Sequence, residues 1–389
     1  MKEKRFTKKQ FVLAILLTAA LTLGGVLLSL VLLLGPQGLS VMEGYLLIKA
    51  LFVEKETLDM DQVADAALFA MDEATGDRWT YYLDADWNEA QLDAEANRGE
   101  GIGVTVLGRE NGFLVTDVVP GGGADQAGIQ VGETLTHIDG QPLFGDKAQE
   151  NLEKIKGEDG TFARLTVQNG EGESREVEAR RGVFFDDPVR YALLEGEIGY
   201  VRIKDFQKGA ADSAIAAIED LQAQGAKALL FDLRHNGGGF LKELTDLLDY
   251  LLPEGVVFRQ TTSWGWSFSK RSDSDCVALP MATLVDEETY SAAELFAAQL
   301  RESLGSYVVG THTSGKGYFQ YHFPMPNGGG LGLSIGRYTT GGGVSLAGVG
   351  LEPDKQVSLT EQELALFMAH CLPPEEDPQL AAAAEYLKK

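Results

Sequence analysis

The stretch GTHTSGKGYFQYHFPM, residues 310–325, decides the fold because it admits two incompatible readings. Gly310, Gly315 and Lys316 have the G-x-x-x-x-G-K spacing of a phosphate-binding loop, but position 317 is Gly, so the hydroxyl that would ligand magnesium is missing. A phosphate loop also opens onto a helix whose first amides face the anion. Here YFQYHFPM follows, aromatic and alternating, the pattern of a strand. The nucleotide-driven reading falls, and Lys316 needs another role.

At 389 residues with 44% apolar content, the chain is long enough for two or three folded units. Residues 11–34 carry no charge and suffice to cross a membrane as a helix; Lys2, Lys4, Arg5, Lys8 and Lys9 precede them against the single acid Glu3. That bias keeps residues 1–10 in the cytoplasm and sends the rest outside. A cleaved signal peptide is the rival, but no A-x-A-like site precedes Gly35, so an uncleaved anchor is expected. A net charge of −25 argues against nucleic acid and anionic lipid head groups as partners. Two cysteines, Cys276 and Cys371, are too few for a disulfide scaffold, and the five histidines have no H-E-x-x-H spacing. No metal or cofactor is expected.

Residues 40–98 carry helical periodicity, residues 99–182 read as strands and turns, and residues 183–358 mix strands such as IGYVRI and ALLFDL with helices. A helical segment broken by Pro373 and Pro374 closes the chain over 359–389. In LVDEETYSAAELFAAQLRES, Ser291 stands where a loop gives way to a helix. By itself S-A-A-E reads as a capping box, with the serine hydroxyl on a free helix amide. As a nucleophile, Ser291 needs a base, and a lysine serves only if dry surroundings leave its amine neutral. Lys316 lies between two glycines, with Tyr318, Phe319 and Phe323 as candidate lining and Gln320 as an amide able to orient the amine. In ALLFDLRHNGGGFLKELTDLL, Gly237, Gly238 and Gly239 open onto a helix and let a substrate carbonyl approach the backbone. His235, beside them, reads as a loop residue.

In combination these pieces resemble the carboxyl-terminal processing peptidases, or tail-specific proteases. The matching stretches are GIGV (101–104), VVPGGGADQAGIQVGETLTHIDG (118–140), IGYVRIKDF (198–206), LLFDLRHNGGG (229–239), YSAAE (290–294), GTHTSGKGYFQ (310–320) and GVGLEPD (348–354). The resemblance implies an α/β fold: an N-terminal transmembrane helix, a helical module, and a PDZ-like β-rich domain inserted before a ClpP/crotonase-like protease core. It implies Ser291 as nucleophile, Lys316 as general base, Gln320 as its orienting residue, and the amides of Ala292 and of Gly237 or Gly238 as the oxyanion hole. In the PDZ-like unit, Gly101, Ile102, Gly103 and Val104 correspond to the carboxylate loop, and Ala148, Leu152 and Ile155 line the groove for the last side chain of a bound tail. The implied protein is a membrane-anchored serine endopeptidase acting outside the cytoplasm on protein tails, assembling as a homodimer through helical ends. A catalytically silent peptide-binding scaffold is the alternative. The sequence departs from the family pattern at DEETYSAAE, at TSGKG for T-F-G-K-G, at Glu133 for Asp and at His235 for Asn.

Overall fold

A computed structural model of the chain describes residues 7–389. Lys2, Lys4 and Arg5 of the expected cytoplasmic end lie outside the described residues. The chain divides into two units, Met1–Asp84 and Ala85–Lys389.

In the first unit, Thr7 and Gln10 form a capping box that opens the helix Lys8–Leu51. It is the one helix among the described residues long and apolar enough to cross a membrane, by length and composition. The uncharged run does end in a break: Gly35 sits at φ 62°, which costs glycine little, and Pro36 supplies no amide to the preceding turn. Helical structure then resumes to Leu51, so the start of the expected module is continuous with the apolar helix. A second helix, Met60–Glu73, is capped by Asp59 and meets Tyr82, whose hydroxyl donates to Asp65 Oδ1 at 2.7 Å. A further helix, Ala85–Glu95, belongs to the second unit, where Asn88 donates to Gly328 O at 2.9 Å. The segment 40–98 is thus shared between the units.

Residues 98–185 leave and rejoin the second unit through a two-stranded ribbon, Arg98–Gly101 with Gly182–Phe185. Between them an antiparallel sheet runs in the order Val104–Arg109, Gly112–Val118, Thr134–Ile138, Phe162–Gln168, Ser174–Arg180. Alternate residues face the core, as Ala163, Leu165 and Val167 do, because successive strand side chains point to opposite faces.

The larger sheet is Val189–Leu194, Ile198–Ile203, Ala228–Asp232, Met281–Val285, Tyr307–Gly310 and Lys355–Gln356, parallel after its first, antiparallel pair. Its central strands ALLFD and MATLV are buried at every position, which demands cover on both faces. Leu229, Phe231 and Val285 pack on one face with the helices Ala210–Ala223, Leu241–Leu251 and Ala292–Leu304. Leu230, Ala282 and Leu284 pack on the other with Leu380 and Ala383 of the C-terminal helix Pro378–Leu387. That helix is pinned by Asp377, which caps Gln379 N and Leu380 N, both at 3.0 Å, and pairs with Arg234 Nη1 at 2.7 Å. Arg234 is itself 3% exposed and bonded to Asp232.

The loop after Ala228–Asp232 turns through His235 at φ 57°. Its amide donates to both oxygens of Asp286 and its Nδ1 lies 2.5 Å from Asp286 Oδ2, so the hydrogen bond to Asp286 raises the imidazole above its usual range.

Two stability measurements follow. Asp377→Ala removes a cap and leaves buried Arg234 short of an anion, which is expected to cost about 3 kcal/mol in chemical denaturation; a change below about 0.5 kcal/mol contradicts the pinning role. For His235 the folded pKa lies above the unfolded value, so its ion pair stabilises fully below about pH 6.5 and is lost as pH rises through the raised value. His235→Asn, an exchange that tolerates positive φ, is therefore expected to lower the unfolding midpoint most near pH 5 and progressively less as pH rises past the raised value; a gap independent of pH contradicts this.

Candidate active site

Three loops converge because they leave the same ends of three adjacent parallel strands. Residues 233–240 follow Ala228–Asp232, residues 286–291 follow Met281–Val285, and residues 311–317 follow Tyr307–Gly310. In parallel sheets this edge is where ligands bind.

The first loop is organised by Asn236, which is fully buried. Its Nδ2 donates to Ile203 O at 2.7 Å, its Oδ1 accepts from Gly238 N at 2.8 Å, and its carbonyl accepts from Tyr290 N at 3.1 Å. The Gly238 carbonyl accepts from Phe206 N at 2.8 Å. This corrects one expectation: the Gly238 amide is engaged with Asn236 in this conformation and does not face an oxyanion. Gly238 matters for space. At φ 88°, a Cβ there would lie 2.7 Å from Ser291 Cβ and 2.8 Å from Ala292 N.

Ser291 stands at the N-cap position of the helix but does not cap it through its side chain. Its backbone sits at φ 61° and ψ −124°, and among the described residues its hydroxyl bonds no helix amide. A non-glycine residue held there stores on the order of 1–3 kcal/mol, which the surroundings must offset. The amide of Ala292 stands in the first helical turn, where no carbonyl of the same helix can reach it. The other half of the expected capping box has a different use. Glu294, with no exposed surface, accepts from the Thr313 hydroxyl, from Gly315 N at 2.9 Å and from Lys316 N at 3.1 Å. Burial raises its carboxyl above the usual range while these donors pull it back.

The helix that begins at Ser291 and the loop that carries Lys316 are thereby tied together. Ser314 N donates to Thr289 O at 3.2 Å, and the Lys316 carbonyl accepts from the Tyr338 hydroxyl. Gly315 takes φ 80°, and a side chain at Gly317 would strike Ala347 Cβ at 2.3 Å. YFQYHFP is a strand, Tyr318–Pro324, as its alternation requires. The Lys316 amine lies 5.7 Å from the centre of the Tyr290 ring. Tyr290, rather than Phe323, stands beside it: at about 3.3 Å per residue, Phe323 is carried roughly 20 Å down the strand, where it packs on Tyr321 and is 40% exposed. Gln320 Nε2 donates to Ser334 Oγ at 2.9 Å and Tyr318 O at 3.4 Å. His235 is committed to Asp286 and to the ring of Phe367, 5.8 Å away. Asn236, Tyr290 and Tyr338 were not singled out from sequence; only Asn236, between a buried strand and a glycine run, had a signal that pointed to it.

In the β-rich unit, Gly101 and Gly103 take φ 117° and 78°, and Ile102 is fully buried between them. The Gly103 carbonyl accepts from Val119 N at 2.9 Å, so the trans peptide sends the Val104 amide the opposite way, off the sheet. Val104–Arg109 has one partner strand among the described residues and is the sheet's edge. Val104, Ala148 and Leu152 pack against the buried cluster that includes Ile102 and Ile155.

Comparison with known proteins agrees with this architecture. Residues 197–357 match the model of peptidase family S41 and residues 114–169 that of the PDZ domain. The chain is 25% identical over 305 residues to carboxy-terminal processing protease CtpA of Bacillus subtilis (strain 168), covering 78% of this chain and 66% of that protein. It is 30% identical over 254 residues to the chloroplastic carboxyl-terminal-processing peptidase 2 of Arabidopsis thaliana, covering 62% and 49%. The chain thus spans between about half and two thirds of the length of these two relatives. A solved structure from Bacteroides fragilis NCTC 9343, assigned to the S41 proteases, superposes with a TM-score of 0.60 at 19% identity over 88% of this chain and 96% of that one, which shows a shared fold. The chain thus carries a region that matches the PDZ domain, residues 114–169, followed by a region that matches peptidase family S41, residues 197–357.

Proposed function

We propose that the protein is a serine endopeptidase of the carboxyl-terminal processing type, with Ser291 as nucleophile and Lys316 as general base. The observation that carries this is the grip of Glu294 on the lysine loop: the helix that begins at Ser291 holds, three residues on, the backbone of Lys316. Ser291 Oγ attacks the scissile carbonyl carbon as its proton passes to Lys316 Nζ. The resulting oxyanion accepts from the amide of Ala292 and from that of Gly237, while Gly238 leaves room for the approach. On collapse, Lys316 returns the proton to the departing amine. It then takes one from water, which hydrolyses the acyl-enzyme. Gln320, its Nε2 held by Ser334, orients the lysine amine. The core is read as ClpP/crotonase-like.

We assign Gly101, Ile102, Gly103 and Val104 to the capture of a substrate's terminal carboxylate, with the tail added to the edge strand Val104–Arg109 and its last side chain toward Ala148 and Leu152. The apolar helix Lys8–Leu51 is read as a membrane anchor, with the peptidase outside the cytoplasm. That placement restricts the enzyme to substrates near the membrane. The domain limits 99–182 for the PDZ unit, 183–358 for the peptidase core and 359–389 for the C-terminal segment are retained.

Ser291→Ala and Lys316→Arg are each expected to lower cleavage of an unstructured protein at least about 1,000-fold with unfolding midpoints unchanged, because arginine is never a neutral base. Retained cleavage in either contradicts the assignment, and a wild-type chain that binds tails without cutting them supports the silent scaffold. Replacing the terminal carboxylate of a tail peptide with an amide is expected to raise KM about 10-fold or more, since hydrogen bonds to charged groups contribute about 1.5–3 kcal/mol; equal KM values contradict carboxylate capture.

A further inference from the structure

We propose that Tyr338 is a positioning residue of the peptidase, its hydroxyl holding the backbone of the base Lys316 in place for the nucleophile Ser291. The proposal rests on the Ser291/Lys316 reading above. Tyr338 lies on the strand Gly330–Thr339, which pairs with the strand that leaves the lysine loop. It is 4% exposed; its amide donates to Gly317 O at 3.2 Å and its ring stacks on Phe258 with centroids 6.2 Å apart. The ring is therefore held at both ends of its side of the site, and the hydroxyl has little freedom.

That hydroxyl donates to the Lys316 carbonyl oxygen. A phenol has one proton, and here it is committed to the Lys316 carbonyl. Burial, with the Glu294 carboxylate nearby, pushes the phenol well above its usual range, so it stays a protonated donor at every working pH. During attack the serine proton passes to the lysine amine; the tyrosine gains and loses none. Glu294 grips the amide side of the lysine loop and Tyr338 the carbonyl side, and together they fix its distance from Ser291.

The test is steady-state cleavage of β-casein, with the rate of Ser291 labelling by a fluorophosphonate probe, for the full chain and for Tyr338→Phe, Lys316→Ala and the double variant. Tyr338→Phe keeps the ring and is expected to lower kcat and the labelling rate about 100-fold with KM within about 2-fold, the loss that a misplacement of roughly 1 Å produces. Because Tyr338 acts through the pair, Tyr338→Phe is expected to add nothing in the Lys316→Ala background. A kcat within about 3-fold of wild type, or full additivity in the double variant, overturns the proposal. If Tyr338→Phe fails to fold, 3,5-difluorotyrosine placed at position 338 keeps the ring and hydroxyl while altering its donation to the Lys316 carbonyl; changed labelling supports the proposal and unchanged labelling overturns it. Ser291→Ala serves as the control: if it still cleaves, the underlying dyad fails, whereas a dead Ser291→Ala beside a fully active Tyr338→Phe removes Tyr338 alone.

Discussion

The buried carboxylate of Glu294 is the joint on which the site depends. It takes three hydrogen bonds from Thr313, Gly315 and Lys316, so the loop bearing the lysine is fixed relative to the helix that Ser291 begins. A carboxylate without exposed surface is costly unless it is hydrogen-bonded, and here the protein's interior supplies three donors. Releasing the grip would leave two backbone amides and a buried charge unmatched together. That makes the arrangement cooperative, and it explains how a chain can hold Ser291 in a strained conformation. The strain is offset by contacts on both sides, Gly238 on one and the helix on the other.

The rest of the fold brings that joint to the correct edge. Three adjacent parallel strands end together, and each contributes one loop. Strands buried on both faces need two layers of cover, which the internal helices supply on one side and Pro378–Leu387 on the other. Arg234 couples the second layer to the first loop, because it leaves the strand just before His235 while reaching Asp377. The C-terminal helix thus supports the glycine loop through the sheet. The PDZ unit leaves and returns through one ribbon, Arg98–Gly101 with Gly182–Phe185, so its edge strand is added without interrupting the larger α/β sheet.

Much of this was legible in the sequence, for physical reasons. The uncharged run, the all-apolar strands ALLFD and MATLV, the alternation of YFQYHFP and the glycines at loop starts are local patterns, and local patterns map onto local structure. Ser291 and Lys316 emerged from ordered motifs in combination. The use of Glu294 was misread because S-A-A-E has a local meaning, the capping box, that the tertiary fold overrides. The same limit hid Tyr290 and Tyr338: a tyrosine in a strand carries no signal of which loop will reach it. Phe323 failed for a simpler reason, strand rise, which carries it too far from the lysine. The competition for the Gly238 amide was equally illegible, since only the folded loop turns the Asn236 side chain back on it.

In the proposed reaction a lysine amine on one loop deprotonates a serine hydroxyl on another. The most direct measurement is the pH dependence of covalent trapping of the intact chain by an acylating inhibitor, with the modified residue mapped by mass spectrometry. The account predicts a single adduct on Ser291 whose formation rate rises with pH as one group loses its proton, the rise vanishing in Lys316→Ala. An adduct on another residue, or the same rising profile without Lys316, would contradict it.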